Sequence, residues 1–306
     1  MPVVLLMEPK TPPMAWAEFC QKSSPFSIAL DGYVSDGPKF DRGGPRANFN
    51  HHEGVSRLET RATCGQILMV VRQGLFKCFC DQNGPRAEVY TNDCDEDVCA
   101  AWFVLNNTHL TQSTANPMVN RLIGMVDALD STAGAYPFRP DLPALQDLAW
   151  IFQPYRRFRK DGGLDARCSG DFFGIVADVE LRMLQYVTGH GEKIYLDVRY
   201  EKIGGGKGWK MIREIGEHGR TGAFGDNVEA YVIVRERADG RMAYTVGRIS
   251  QFIPFDVPRI LTALNKAEAN PAHLWGGGDT IGGSPRVSGS KLTPDEVARI
   301  INEVNG

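Results

Sequence analysis

No stretch of the 306-residue chain reaches the roughly 18 to 20 consecutive apolar residues that a bilayer-spanning helix needs. The longest early run, Val3 to Met7, has no basic residue before it, which makes a poor secretory signal. Charge of one sign is also missing. The 34 basic and 37 acidic side chains leave a net charge of -3, which excludes a strongly basic nucleic-acid-coating protein but not a local basic groove. The apolar fraction of 42% is too high for low-complexity disorder, and 33 Gly with 18 Pro are too many for a coiled coil. The seven cysteines, odd in number and irregularly spaced, read as reduced cytosolic thiols. Cys78, Cys80, Cys94 and Cys99 lack the C-x2-C spacing of a tetrathiolate zinc site. The expectation is a cytoplasmic globular protein with no membrane partner, and its length suggests two domains.

Within that frame, residues 26–31 form a short apolar run ending on Asp31, and Ala47-Asn48-Phe49 leads into Asn50-His51-His52. Leu58, Ala62, Ile67, Leu68 and Val71 carry helical spacing that predicts a helix over 58–71, stopped by Gly74. A strand at 87–90 runs into Thr91-Asn92-Asp93-Cys94-Asp95-Glu96-Asp97, and a helix begins at Val98. Pro117 opens another helix, with Val119, Leu122, Ile123 and Val126 on one face. Strand, polar turn and helix in repetition predict an α/β fold with a mainly parallel sheet. Residues 155–163 read as a charged connector before a helix over 171–187. Beyond Gly191 the pattern changes to strands at 228–234 and 241–249 around the hairpin turn Ala238-Asp239-Gly240, and a helix at 257–267. The glycine-rich stretch 275–284 comes next, and a capped helix begins at Thr293-Pro294 with Glu296 completing a capping box. The expected division is a metal-binding domain over 1–160, a helical connector over 161–190, and a second, smaller α/β domain over 191–306.

Ligands of open α/β sheets lie beyond the carboxyl ends of parallel strands. Asp31, the pair His51 and His52, and the trio Asp93, Asp95 and Asp97 all follow predicted strands, and Asp127 and Asp130 end a helix. Converging carboxylates repel and stay ionised together only when cations hold them. Imidazole with carboxylate suits manganese, zinc or iron, and carboxylate alone suits magnesium. A plainer reading stands beside this one. Asp95 or Asp97 can simply cap the helix at Val98, a His-His pair can be structural, and a glycine-rich stretch can be a flexible connector.

Asn50-His51-His52, followed by a helix containing Ala62-Thr63-Cys64, resembles the DHH motif of the DHH phosphoesterase superfamily. Thr91 to Asp97 is similar to that family's H-x-D-x-D-G motif, Asp31 to its lone strand-end aspartate, and Asp127 or Asp130 to the aspartate of its fourth motif. Gly276-Gly277-Gly278-Asp279 resembles the glycine-rich GGGH loop of the associated C-terminal domain. The motif order differs, since Asp31 and His51 precede Asp93, and this requires a circular permutation of the first domain. Asn50, Thr91, Glu96 and Asp279 stand where the family has Asp, His, Gly and His, with Asp97 or Glu96 available as a substitute ligand.

The resemblance implies a phosphohydrolase that uses Mn2+ or Mg2+, with room for two ions. Asp31, His51, Asp93, Asp95 and Asp127 or Asp130 would be ligands, with Asp31 a bridge and His52 a general acid or phosphoryl contact. Arg248, Gly276, Gly277, Gly278, Asp279, Ser284 and Arg286 would hold the substrate, expected to be a short oligonucleotide or small nucleotide in an interdomain cleft. The alternative is a catalytically altered nucleotide- or metal-binding regulatory protein of the same fold. Arg156, Arg157, Arg159 and Lys160 leave short or single-stranded nucleic acid as a weaker partner, and a homo-oligomer is compatible with the sequence.

Overall fold

The computed structural model describes residues 3–57, 59–112 and 114–306. It divides into two compact units, Met1–Ser131 with Gln146–Ile194, and Thr132–Leu145 with Tyr195–Gly306. Both are α/β, and both sheets of more than two strands are mixed.

In chain order the first unit begins with β1 (Val3–Met7), α1 (Trp16–Lys22), β2 (Ser27–Leu30), β3 (Lys39–Asp41) and β4 (Arg46–Phe49). Next come α2 (Thr63–Arg72), α3 (Leu75–Cys78), the small hairpin β5 (Cys80–Asp81) and β6 (Gly84–Pro85), and β7 (Ala87–Thr91). Helices α4 (Glu96–Asn106), α5 (Thr108–Thr111), α6 (Pro117–Ser131), α7 (Pro143–Ile151), α8 (Gln153–Lys160) and α9 (Ser169–Val187) follow. Strand order is β1-β7-β2-β4-β3, parallel except for the edge pair β3–β4. Every residue of β2 is buried, as a parallel strand covered on both faces must be. Helix α4 is buried from Asp97 through Leu105, and α2 and α9 pack against it.

Three expectations need correction here. Helix α2 starts at Thr63, later than the predicted 58, and Leu58 lies outside the described residues. The charged stretch 155–163 is mostly helix, because Tyr155 is buried while the arginines project outward, giving α8 an amphipathic pattern too short to stand out. The helix expected as a connector is α9, an integral part of the first unit. It buries Phe172, Val176, Val179 and Met183, and its Glu180 accepts hydrogen bonds from Trp102 Nε1 (2.9 Å) and the Asn106 and Asn107 amides (2.7 Å each).

The second unit contains β8 (Tyr200–Gly206), β9 (Trp209–Glu214), α10 (Gly219–Gly225), β10 (Ala230–Glu236) and β11 (Met242–Arg248). It continues with α11 (Val257–Glu268), β12 (Gly276–Gly277), β13 (Ile281–Gly283) and α12 (Pro294–Asn305). The sheet runs β12-β13-β11-β10-β9-β8, and only β9–β10 is parallel. One face packs Val232 and Val246 against Ile260 of α11 and Ile301 of α12, while the other covers Tyr231 and Ile233 with α10. The capping box is present, with Thr293 and Glu296 bonded reciprocally. Among the described residues no helix is long and apolar enough to cross a membrane.

Candidate metal centre

The parallel register puts the carboxyl ends of β7, β2 and β4 side by side, with Ala29 opposite Tyr90 and Leu30 opposite Phe49. Asp31 leaves β2 in a left-handed conformation (φ 48°), followed by Gly32 (φ 82°), and its N–H donates to Phe49 O (2.9 Å). Aspartate tolerates that region better than most side chains. Asn50 then shapes the turn after β4. Its amide donates to Val34 O, Asp36 O and Glu53 Oε2, and its Oδ1 accepts the His52 N–H. An aspartate could not donate those bonds, so Asn50 is a turn-former rather than a ligand.

This turn buries His51 completely. Neither ring nitrogen has a hydrogen-bond partner, and three carboxylates surround Nε2: Asp130 Oδ2 at 2.9 Å, Asp31 Oδ1 at 3.5 Å and Asp97 Oδ2 at 3.7 Å. Asp130 Oδ2 is likewise buried and without a hydrogen bond, its approach to His51 being off the line that such a bond requires. Buried polar atoms are otherwise nearly always paired. Two groups follow, Asp31 with His51 and His52, and His51 with Asp97 and Asp130, each offering ligand atoms within 4.8 Å of one another. These buried Asp and His side chains can hold a metal ion.

Helix α2 points its amino end at the same place. Its first turn follows Ala62, which has no side chain to cap it, so carboxylates from other helices do so. Asp97 of α4 accepts the Thr63 and Cys64 N–H groups (2.7 Å each), and Asp127 of α6 accepts the Ala62 N–H (2.7 Å) and Arg61 Nη1 (3.0 Å). The pair left open by the sequence thus separates: Asp130 faces His51, while Asp127 is a capping group. Asp97 serves both ends, because each carboxylate oxygen has a second lone pair. Glu96, the other substitute considered, is held by Arg156 (2.8 Å).

Asp95 accepts the Val98 N–H and caps α4, and Asp93 accepts the Cys94 N–H. Neither belongs to the two ligand groups, yet both lie within electrostatic reach of Asp31. Burial, reinforced by the charges of Asp31, Asp93, Asp130 and Asp97, holds the Asp95 carboxyl well above the usual carboxylate range. Burial and the neighbouring Asp31 and Asp130 push Asp97 up to about 7, against a partial offset from His51. Burial also raises Asp93, with Asp31 adding to it. Asp31 goes the other way: burial opposes ionisation, but His52, His51 and the Thr63 hydroxyl together hold it below the ordinary value. His52 Nε2 lies 2.9 Å from Asp31 Oδ1, and Arg57 Nη2 contacts His52 Nδ1, so Nε2 carries the proton given to Asp31.

The residues expected to hold substrate are organised differently. Gly276 and Gly277 pair with Gly283 and Gly282, and the Gly278 N–H donates to Ile281 O, so the glycine-rich stretch is a hairpin and not a flexible connector. A Cβ at Gly277 would meet Gly282 Cα at 2.2 Å, so strand contact accounts for Gly277 and its partner Gly282, whereas a Cβ at Gly276 would meet nothing within 4 Å. Arg248 is committed to Asp279 O and Oδ1 and to the carbonyls of Gln251 and Ile253. Ser284 Oγ accepts the Tyr244 N–H, and Arg286 is exposed, its carbonyl accepting from Arg237. No family model, curated protein or solved structure matches this chain.

Proposed function

We propose that this chain is a divergent, circularly permuted member of the DHH phosphoesterase superfamily that hydrolyses a phosphodiester in a short oligonucleotide or small nucleotide with Mn2+ or Mg2+. The observation that supports it best is His51, a fully buried imidazole with no hydrogen bond, ringed by Asp31, Asp97 and Asp130. Imidazole nitrogen with carboxylate oxygen is a donor set for manganese more than for magnesium. Divalent ions, when bound, supply Lewis acidity and a water of lowered pKa for attack at phosphorus. Asp31, His51, Asp97 and Asp130 would hold them, and Asp93 and Asp95 would add negative charge behind that set. Thr63 orients Asp31 through its hydroxyl (3.1 Å). His52 would serve as general acid or phosphoryl contact only by turning its Nε2 proton from Asp31 Oδ1 to a leaving or non-bridging oxygen.

The test is turnover of short oligonucleotides, cyclic dinucleotides and pyrophosphate with Mn2+ or Mg2+ added and metal content measured in the same sample. Hydrolysis of any of them, abolished in Asp130→Asn, is the expected result. No turnover with the metal site filled would overturn the enzyme reading for those substrates. The closed glycine hairpin and the internal Arg248–Asp279 pair favour a second reading, a metal- or nucleotide-binding regulatory protein of the same fold. Two ions per chain would favour hydrolysis, and one or none would favour binding.

A further inference from the structure

With Arg248 committed within its own unit, the positive side chains that could receive an anion at the metal centre must come from elsewhere. In the first unit Arg57 and Arg61 already contact His52 and Asp127, and Arg159 and Arg167 are two further ones. Arg167 lies in the loop between α8 and α9, and its Nη1 donates to Pro9 O (3.0 Å) and Asn92 O (3.2 Å). Those carbonyls follow β1 and β7, so the guanidinium is anchored over the carboxyl edge of the sheet, one residue from Asp93. The backbone at Arg167 is left-handed (φ 47°), a conformation costing about 1 kcal/mol or more in a non-glycine residue and retained where surrounding contacts impose it.

Arg159 lies in the last turn of α8. Tyr155, one turn earlier on the same face, is buried against the electrostatic environment of Asp95 and Asp93. The neighbouring Arg156 ties α8 to Glu96 at the start of α4, which fixes how that face is presented. The hydrogen bond to Asn92 O sets Arg167 beside Asp93, and the positive charges of both Arg167 and Arg159 oppose the rise of the Asp93 carboxyl. Both are exposed, and among the described residues neither is held in an ion pair.

We propose that Arg159 and Arg167 form an anion-binding edge of the metal centre that takes a phosphate group of the substrate. This rests on the metal-phosphohydrolase reading and names residues of the first unit for a role the sequence assigned to Arg248 and Arg286. Guanidinium groups suit phosphate because their planar donors match its oxygens and stay charged at every working pH.

The experiment is titration of the manganese-loaded full chain with inorganic phosphate, followed by calorimetry, with manganese affinity measured separately by electron paramagnetic resonance. Arg159→Ala and Arg167→Ala should each weaken phosphate roughly ten-fold, with manganese affinity unchanged. Arg167→Lys should recover part of the loss, and the double alanine variant should flatten the salt dependence of binding. Unchanged phosphate affinity in the double variant, or a loss confined to Arg286→Ala, would overturn the proposal while leaving the metal reading intact. A chain that binds no manganese, yet loses phosphate binding in the double variant, would retain the anion edge and remove the metal reading.

Discussion

Buried or partly buried charge is handled in opposite ways by the two units. In the second, Arg248 is only 10% exposed and its guanidinium is answered by a carboxylate and three carbonyls. Glu268 is buried and accepts from Ser290, Lys291 N–H and Trp275 Nε1. In the first, neither ring nitrogen of His51 has a hydrogen bond among the described residues, and crowding and burial push Asp97 beside it and the nearby Asp95 towards neutrality. Satisfied polar burial is what a fold uses to fix its loops, whereas unsatisfied polar burial persists only where something else supplies the missing partner. The difference separates structural charge from a cluster that can hold a metal ion, without reference to any relative.

The strongest way to break this contrast is to remove the unpartnered groups. His51→Ala or Asp130→Asn should weaken manganese binding by at least about 100-fold, since even the outer partners of metal ligands are worth 10- to 100-fold. Unchanged affinity in both would mean that the first unit's burial is as purely structural as the second's. A second effect concerns pH. Asp93, Asp95 and Asp97 are held as weaker acids than usual, so between the ordinary carboxylate value of 3.8 and about 7 for Asp97 the folded chain keeps protons that the unfolded chain has lost. Stability of the metal-free protein should therefore fall as pH rises through that window. His52, raised by Asp31 against burial, acts in the same sense, its contribution being lost as pH rises through its folded value. Asp31 is lowered and acts oppositely, losing its contribution only as pH falls below the usual carboxylate range. Thermal unfolding of chelated protein should give a lower midpoint at pH 8 than at pH 5, and added manganese should raise the midpoint more at pH 8. A flat profile would remove the crowding argument.

The strand-end positions of Asp31, His51 and Asp93 were legible because each follows a short apolar run and precedes a polar turn, a local pattern. Asp127 and Asp130 were not separable, since both end the same helix and only the arrival of the uncapped α2 distinguishes them. Strands β8, β12 and β13 escaped because Gly204 to Gly206 and Gly276 to Gly283 carry little of the apolar alternation that marks a strand. Of the three glycines that resembled a phosphate loop, Gly277 is explained locally by backbone contact across the hairpin. Helix α8 was missed for another reason: its Phe158 packs on Phe172 of α9 while its exposed face is dominated by charge.

In the second unit the corresponding removal should cost stability and nothing else. Arg248→Ala leaves the carbonyls of Gln251, Ile253 and Asp279 without their donor. The expected loss is about 2 kcal/mol in chemical denaturation, given that the Asp279 side of the pair is solvent-exposed. Manganese affinity should not change. A coupled loss of metal binding would mean that this arginine belongs to the site after all.

The smallest effect gives the sharpest comparison, because it lies within one helix. Asp127 and Asp130 are three residues apart on α6, but the first caps α2 and the second faces His51. Asp127→Ala should therefore cost about 1 kcal/mol, the usual value of a lost cap, and leave manganese affinity within a few-fold of the native chain. Gly65 allows a check that isolates the capping carboxylate. A Cβ at Gly65 would lie 2.6 Å from Asp127 Oδ2, so Gly65→Ala alone must displace that group and should destabilise. With Asp127 already alanine the clash is gone, and the same change should gain up to about 1 kcal/mol from helix propensity. A change of sign between the two backgrounds identifies Asp127 as the group that Gly65 makes room for. Equal costs in both would mean that the close approach of α2 to α6 is set by some other contact.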